Sequence, residues 1–413
     1  MPITIPARSS IYCPKLILFV AVFCSGSSSV IAQTQPSENR SRRFGPDACG
    51  PVDPSYIRIA NQTGGQPMFL QPSEAAKAFH FVREATRNNM GTVFWATSAF
   101  DGKAQTFEIP VDSVTQRITF SFSADTKGSK LTLSQPSRGT IVEATASTEI
   151  TDLNCGRIVT LSTPEAGLWR AEVTGTGRFW LQAQAQSDIY FITAEFVRKG
   201  GRPAHAGLFK IAGQPVAGTP ATLRVFLSAK EAKSTAFRLV SERGDTIQEV
   251  QMHADSSDRE FLEFFGTLEL SKDSFRVAVA GRDTKGRAYQ RFFPALFHAE
   301  TVEMLPEHMV DELAAGSTTQ VTFALRNVGA SGTFKITVTD AHQFVSQVIP
   351  QELTLGTGES GSVRVQITVP AGTAPGIGDD VVVVASSSAG PAASNSCVAH
   401  FSVAASSAAQ NPR

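Results

Sequence analysis

From residue 91 onward, apolar and polar residues alternate along the chain with a period of two. The alternation is clearest near the C-terminus, where residues 363–369 read Val-Arg-Val-Gln-Ile-Thr-Val. Successive side chains of a β-strand point to opposite faces, so this pattern predicts strands with one buried and one solvated face. Candidate turns recur every ~8–12 residues, which is the spacing of β-sandwiches. The sequence therefore predicts a mainly β protein built from tandem sandwiches.

Two stretches interrupt the alternation and divide it into units. Residues 199–203 read Lys-Gly-Gly-Arg-Pro, and residues 294–307 form a second break that begins with Pro294. Gly and Pro clusters of this kind mark linkers. After a short N-terminal α/β segment at 53–90, we expect a jelly-roll-like sandwich at 91–198, immunoglobulin-like domains at 199–298 and 299–405, and a disordered tail at 406–413.

Residues 53–90 differ from the rest because they favour helix. Ala75, Phe79 and Val82 have the i, i+4, i+7 spacing of an amphipathic helix. A short strand is expected just before this helix, at Pro67–Leu70, and a short helix precedes that strand.

The N-terminus has the pattern of a secretory signal. Arg8 and Lys15 precede the apolar run Leu16–Phe23, and small residues lead to Ala32. A basic region, a short apolar core and small residues before the cleavage site are typical of signal peptides. We expect a signal at 1–32, a disordered leader at 33–52, and a protein that is secreted, periplasmic or at the cell surface. The apolar run is shorter than the ~20 residues of a membrane-spanning helix, and no later segment reaches that length, so no membrane span is expected after cleavage.

Three cysteines remain after removal of the expected signal. Cys49 and Cys155 both precede glycine in loop-like sequences, whereas Cys397 continues an inward-facing alternation with Ala399 and Phe401. An oxidising compartment favours one disulfide, and we expect it between Cys49 and Cys155, with Cys397 as a buried apolar residue. Three free thiols are the alternative. No Cys-x-x-Cys or clustered histidine accompanies the cysteines, so no metal site is expected.

Composition and motifs favour a non-enzymatic interaction protein. Lys and Arg number 37 and so do Asp and Glu, which argues against a nucleic-acid partner. A Gly-x-Gly-x-x-Gly match at 356–361 lies between two predicted strands, so it is a turn and not a dinucleotide site, which would need a following helix. Gly-x-Ser-x-Gly, His-Glu-x-x-His and Walker motifs do not occur. No cofactor is expected.

Two short motifs resemble known extracellular proteins. Residues 60–66 (Ala-Asn-Gln-Thr-Gly-Gly-Gln) followed by Ser73–Ala76 are similar to the last helix–strand–helix of von Willebrand factor A domains. Pro164-Glu-Ala-Gly-Leu-Trp169 resembles the Pro-x-x-Gly-x-Trp strand of hemicentin-type proteins, and Phe275–Arg291 resembles the closing hairpin of their immunoglobulin-like module. The resemblance implies a β-sandwich and then an immunoglobulin-like module after an A domain, together with a role in adhesion.

One part of that arrangement is missing from this sequence. A domains bind a cation through an Asp-x-Ser-x-Ser loop, whereas the near-match at 255–259 lacks the last Ser and lies in another unit. Metal-dependent adhesion is therefore not implied. A decayed A domain, a remnant that packs on the first sandwich and a shortened gene model all stay open as origins of residues 53–90.

We therefore expect an exported adhesion or scaffold protein that binds a protein or glycan partner through its sandwich surfaces. A carbohydrate-binding protein is the first alternative, with Trp180 as the candidate for an exposed ring that stacks on sugars. Trp95 and Trp169 are expected in the core. A hydrolase with a site at a domain junction is the second alternative, and it would need His205, His253 or His298 beside an acidic residue.

Overall fold

The computed structural model describes residues 22–24, 49, 53–137, 139–200, 207–228, 232–255, 261–307, 311–388 and 393–404. Several expected features lie outside these residues: the cleavage site after Ala32, most of the leader at 33–52, His205 and the tail.

The fold class is confirmed, because the described chain is mainly strand and its long sheets are antiparallel. Neither described helix has the length and apolar character that a membrane crossing requires.

The N-terminal part of the chain contains what we call the helical segment. It comprises α1 (Pro54–Thr63), β2 (Met68–Leu70), a 3-10 turn (Pro72–Glu74) and α2 (Ala75–Ala85). Strand β1 (Val22–Cys24) precedes this segment and pairs in parallel with β2. Asp53 caps α1 by accepting a hydrogen bond from the Ser55 backbone N–H at 2.8 Å, and Pro54 occupies the first turn, where no backbone donor is needed.

The first sandwich contains eight strands. They are β3 (Met90–Ala99), β4 (Gln105–Val111), β5 (Arg117–Ala124), β6 (Lys130–Ser134), β7 (Thr148–Leu153), β8 (Gly156–Ser162), β9 (Gly167–Thr174) and β10 (Arg178–Gln186). Strands β3-β10-β5-β8-β7 form its large sheet and β4-β9-β6 its small sheet. Trp169 lies between the sheets, fully buried, and its Nε1 donates to the Glu165 carbonyl oxygen at 2.9 Å. This bond ties the tryptophan of the Pro-x-x-Gly-x-Trp motif to the main chain of the residue after its proline.

The second sandwich contains nine strands. They are β11 (Tyr190–Gly200), β12 (Gly207–Lys210), β13 (Pro220–Ser228), β14 (Ala232–Val240), β15 (Thr246–Val250), β16 (His253–Asp255), β17 (Leu262–Glu269), β18 (Arg276–Asp283) and β19 (Ala288–Phe292). The sequence places residues up to 198 in the first sandwich, but β11 pairs with β12 and β13, so it belongs to the second. Alternation predicts a strand and its buried face without specifying the sheet that the strand joins.

The third sandwich contains the last nine strands. They are β20 (Val302–Pro306), β21 (Glu312–Leu313), β22 (Thr318–Asn327), β23 (Gly332–Thr339), β24 (Val345–Ile349), β25 (Glu352–Leu355), β26 (Ser360–Thr368), β27 (Gly378–Ser387) and β28 (Ser394–Val403). Its two sheets are ordered β20-β22-β26-β24 and β21-β28-β27-β23-β25. The Gly-x-Gly-x-x-Gly stretch is the turn between β25 and β26, as the sequence predicts.

The first two sandwiches share one sheet. Strand β19 pairs with β3 through Phe292 and Thr92, which makes a nine-stranded sheet in the order β15-β14-β18-β19-β3-β10-β5-β8-β7. Phe292 also packs in the core of the first sandwich, where its ring centroid lies 6.0 Å from that of Phe94. The two sandwiches are therefore joined by main-chain pairing and by side-chain packing.

A buried polar network reinforces this junction. Arg291 Nη2 lies 2.6 Å from Asp112 Oδ2, and both side chains are at most 1% exposed. The same guanidinium donates to the Ile189 carbonyl oxygen at 2.6 Å and to Ser187 Oγ at 2.7 Å. Asp283 next to this network accepts from both the N–H and the hydroxyl of Ser113, at 2.8 and 2.6 Å. Buried charges need such partners because burial without them is strongly unfavourable.

Candidate binding groove between the second and third sandwiches

The three tryptophans are all buried, which corrects one expectation. Trp95, Trp169 and Trp180 have exposures of 4%, 0% and 1%. The helical segment covers the outer face of the large sheet, and Phe69 on β2 lies 5.3 Å from Trp180 between ring centroids. Trp180 is therefore unavailable for stacking on a sugar. The alternation predicts that Trp180 and Leu181 face opposite sides of the sheet, but it does not show that another segment covers the outer side.

Polar contacts hold the helical segment on this face. Gln66 Nε2 donates to the Ser121 and Trp180 carbonyl oxygens at 3.0 and 3.1 Å, and the Ser121 hydroxyl bonds to Gln66 Oε1.

A buried arginine fixes the end of α1. Arg276 Nη2 donates to the Asn61 carbonyl oxygen at 2.7 Å, and its guanidinium carbon lies 4.4 Å from the Trp95 ring centroid. Burial lowers the pKa of Arg276 to about 9, although the Glu242 charge acts in the opposite direction. A cation at the C-terminal end of a helix interacts favourably with the helix dipole.

Cys49 and Cys155 form a disulfide across 106 residues of sequence. The bridge packs with Phe69, Trp95 and Trp180, under the helical segment. Cys397 is a free thiol buried in the core of the third sandwich. Burial raises the pKa of the Cys397 thiol to about 12, and the positive charge of Arg198 acts in the opposite direction.

His80, Glu84 and Glu149 form the one cluster of potential metal ligands found in the described residues, with ligand atoms within 4.8 Å of one another. Three guanidinium groups already contact its carboxylates. Glu84 lies 2.7 Å from Arg87 Nε and 2.6 Å from Arg117 Nε, and Glu149 lies 3.4 Å from Arg83 Nη2. These positive charges oppose a divalent cation, so we interpret the cluster as an ion-pair clamp between α2 and the large sheet.

One of the three candidate histidines lies beside an acid. His298 Nε2 is 2.8 Å from Glu300 Oε1, and the other oxygen of this carboxylate accepts a hydrogen bond from the Ser394 backbone N–H at 3.2 Å. The pair therefore ties the second sandwich to the third. His253 lies on β16, and His205 is outside the described residues.

Asn395 on β28 hydrogen-bonds to the second sandwich and to its own sandwich. Its Oδ1 accepts from the Gln214 N–H at 2.9 Å, and its Nδ2 donates to the Gln214 and Val302 carbonyl oxygens at 3.0 and 2.8 Å. Gly213 lies so near that a Cβ there would overlap Asn395 Oδ1 and the Ser396 carbonyl oxygen. The absence of a side chain at 213 permits this approach.

Beside this junction, the second and third sandwiches form a groove with a volume of about 1520 Å³. We call it the inter-sandwich groove. Strands β11 and β12 form one wall, and β20 and β28 form the other. Its apolar lining consists mainly of Phe209, Ile211, Val216, Met304, Leu305 and Val398.

Basic residues lie along the wall that belongs to the second sandwich. Arg198, Lys199 and Lys210 are exposed there, whereas the opposite wall carries Glu303 and Asp311. Arg326 lies 4.0 Å from Glu303 and partly offsets its charge. The groove therefore combines an apolar floor with excess positive charge. The sequence carried no signal for it, because its lining comes from four separate stretches of chain without a common motif.

Family models match two of the three sandwiches. The model of the hemicentin galactose-binding domain-like family matches residues 92–188, and that of the VWA7 Ig-like domain matches residues 304–405. These ranges correspond closely to the first and third sandwiches of the structure.

A search of curated proteins found Hemicentin-1 of Mus musculus, which is 23% identical over 244 residues. The match covers 57% of this chain and 4% of Hemicentin-1, so the chain corresponds to a small part of that protein.

Matches to solved structures are weaker. The propeptide form of the Bacillus licheniformis lipase BlEst2 has 10% identity and a TM-score of 0.24, covering 55% of this chain and 49% of the lipase. A protein of unknown function from Porphyromonas gingivalis W83 has 16% identity and a TM-score of 0.19, covering 46% of this chain and 94% of the other. TM-scores of this size support no conclusion about fold or function. The first sandwich is therefore similar to the hemicentin galactose-binding domain-like family and the third to the VWA7 Ig-like domain, within a chain of tandem β-sandwiches.

Proposed function

We propose that the chain is an extracellular, non-enzymatic adhesion or scaffold protein that holds an extended acidic segment of a partner protein in the inter-sandwich groove. The similarity to hemicentin domains and the expected signal peptide support the extracellular location. The size and charge of the groove carry the proposal for the partner.

The volume favours a polypeptide over a small molecule. Small-molecule sites enclose ~300–1,000 Å³, and the groove exceeds that range. Apolar residues in its floor offer contacts for alternate side chains of an extended segment, as in other grooves that bind peptides.

Main-chain groups of β20 add a second type of contact. This strand is at the edge of its sheet, and the Glu307 N–H donates to the Thr322 carbonyl oxygen at 2.9 Å. In an antiparallel pair, every second residue directs its N–H and C=O to the partner strand. Those of Glu303 and Leu305 face β22, so the N–H and C=O of Met304, a residue that lines the groove, point away from β22.

The charge of the groove selects acidic segments. Three exposed cations on one wall attract a negatively charged segment and accelerate its association. The apolar floor then contributes through burial, at roughly 25 cal/mol per Å².

The proposal that the chain is not an enzyme rests on contacts at the junction between the second and third sandwiches. The His298–Glu300 pair, the acid–histidine pair of the hydrolase alternative, is occupied by hydrogen bonds across the junction. The matched domain models are of galactose-binding-like and immunoglobulin-like domains.

A displayed library of random peptides tests the proposal on the full chain. We expect enrichment of acidic peptides by the native protein and its loss in the variant R198E/K199E/K210E. The matched control, K103E/K130E/K335E, changes the same number of exposed basic residues outside the groove and should retain binding. Equal binding by the groove variant, or enrichment without acidic residues, would contradict the proposal. Cleavage of the bound peptides would contradict its non-enzymatic part.

A further inference from the structure

We propose that the junction between the second and third sandwiches makes binding in the inter-sandwich groove depend on pH, through the imidazole of His298. The inference names a regulation of the groove, so it rests on the function proposed for that groove. Histidine is the side chain that ordinarily changes charge between pH 5 and 8. The His298 side chain is 33% exposed, whereas that of its partner Glu300 is 11% exposed. Solvent protons therefore reach the imidazole, while the carboxylate is largely shielded.

Main-chain bonds fix Glu300 to the second sandwich. The Glu300 N–H donates to the Pro215 carbonyl oxygen at 2.8 Å, and the Ala217 N–H donates to the Glu300 carbonyl oxygen at 2.9 Å. Phe297, just before the histidine, exchanges two main-chain bonds of 2.8 Å with Phe275. The imidazole and the carboxylate therefore project from a main chain that is already held in place.

The Glu300 carboxylate then reaches the third sandwich. Its Oε1 lies 2.8 Å from His298 Nε2, and its Oε2 accepts a hydrogen bond from the Ser394 N–H at 3.2 Å. The imidazole thus orients the carboxylate that joins the two sandwiches. A protonated imidazole adds the attraction of opposite charges to this bond, so protonation of His298 strengthens the tie.

This tie lies at one end of the groove. Glu300 precedes β20 by two residues and Ser394 begins β28, and these two strands form the wall that belongs to the third sandwich. Gln214, Pro215 and Asn395, which lie at the same junction, also line the groove. The bond between Glu300 and Ser394 therefore helps to fix the separation of the two walls.

The other polar contacts at the junction carry no titrating group. The His298 backbone N–H lies 3.4 Å from the Gln214 side-chain oxygen, and the third sandwich presents the Ser394 N–H and the Asn395 amide. Among the described residues, Glu300 is the acid in ion-pair contact with His298. Between pH 5 and 8, the charge of this contact therefore follows the imidazole.

Two further charged pairs lie on the wall of the third sandwich. Glu303 on β20 pairs with Arg326, and His400 on β28 pairs with Asp380. His400 also lines the groove, so its positive charge would attract an acidic segment directly. A test must therefore separate the two histidines.

The sign of the effect follows from the tie. A bound segment contacts both walls, so it binds best when the walls are held at one separation. The stronger tie is present while His298 is charged and is lost as the imidazole gives up its proton. Affinity should therefore fall as the pH rises from about 5.5 to about 8, by about fivefold, which corresponds to the net contribution of one hydrogen bond.

Binding of a histidine-free acidic peptide, selected from the displayed library and followed by fluorescence anisotropy against pH, tests the inference on the full chain. The native protein should lose about fivefold in affinity over this range. H298Q should bind with little change, and so should E300Q, which keeps an acceptor for Ser394 without the charge. Thermal unfolding of both variants distinguishes a lost pH response from lost folding.

Two other histidines serve as controls. H342Q is the matched one, because His342 also lies beside an acid, 3.3 Å from Asp379, but is outside the groove lining. H342Q and H400Q should both keep the native pH dependence. A pH dependence that is lost in H400Q and persists in H298Q would assign the effect to direct contact with the peptide and overturn the inference.

Hydrogen exchange tests the junction without any peptide. The protection factor of the Ser394 amide, which corrects for the intrinsic effect of pH, should be higher at about pH 5.5 than at about pH 8 in the native protein and constant in H298Q. A constant protection factor in the native protein would overturn the inference. Protection that follows the pH without binding of any acidic peptide would contradict the function proposed for the groove and support the pH-dependent junction.

Discussion

The Arg291 guanidinium lies 2.6 Å from the Asp112 carboxylate, although the two residues belong to different sandwiches. Together with the pairing of β19 and β3, this contact couples the first and second sandwiches into one folded body. The junction with the third sandwich depends on other contacts, mainly those of Asn395 and Glu300.

Replacement of Arg291 by Met should destabilise the first two sandwiches together. It leaves the Asp112 carboxylate buried without its cation, and breaking a buried ion pair in this way costs about 3–5 kcal/mol. Chemical denaturation should show one transition for both sandwiches at a lower denaturant concentration. R326M, which breaks the more exposed 4.0 Å pair with Glu303, should change the free energy of unfolding by about 1 kcal/mol or less. Two separate transitions in R291M would contradict the coupling.

Acid should weaken the contact between α2 and the large sheet. Burial alone would raise the pKa of the Glu84 carboxyl, but hydrogen bonds from Arg87 and Arg117 and the charge of Arg117 lower it from 4.5 to about 2. A carboxyl with a lowered pKa stabilises the fold above its unfolded pKa, so this stabilisation is lost as the pH falls from 4.5 toward 2. Hydrogen exchange of α2 amides should accelerate over this range in the native protein.

The variant E84Q is the control for this pH dependence. It lacks the titrating group, so exchange in α2 should already be faster at neutral pH and should change less on acidification. An identical acid response in E84Q would assign the effect to other carboxyls.

Loss of the Cys49–Cys155 disulfide should destabilise the first sandwich. The bridge closes a loop with a sequence separation of 106 residues, and the chain-entropy model gives up to about 4–5 kcal/mol for a loop of that length. C49S/C155S should therefore unfold at a lower denaturant concentration under oxidising conditions. C397S removes a thiol that is outside the bridge, so its stability should still fall when reductant is added, whereas that of C49S/C155S should not. If reductant leaves the native protein as stable as before, the disulfide does not stabilise it.

A side chain at position 213 should open the junction between the second and third sandwiches. The Cβ of G213A would overlap Asn395 Oδ1 and the Ser396 carbonyl oxygen, so the two sandwiches must separate or reorient. Small-angle X-ray scattering should show a larger radius of gyration or a broader distribution of distances. G372A is the matched control, because a Cβ at 372 has no neighbour within 4 Å. An unchanged scattering curve for G213A would show that the junction adapts locally.

Much of the fold could be predicted because strand periodicity is a local property. The alternation in residues 363–369 predicts β26, and every apolar residue of that stretch is buried. Cys397 is likewise buried on the inward face that its alternation predicts. The sequence also favoured Cys49 and Cys155 as disulfide partners from their loop-like contexts, and the structure joins them.

The sites could not be predicted in the same way. The sequence singled out Trp180 for a role in sugar binding, but its exposure depends on Phe69 and Gln66, which are more than a hundred residues away in the chain. The inter-sandwich groove brings Arg198 and Met304 to the same cavity, although they are more than a hundred residues apart in the chain. This arrangement leaves no local pattern.

The sequence by itself determined that this chain forms tandem β-sandwiches, because each strand records its buried face in its own residues. Only the tertiary structure decided that two sandwiches share a sheet, that the helical segment covers Trp180, and that a groove opens beside the third sandwich. These features depend on contacts between distant strand edges and faces, which periodicity leaves unspecified.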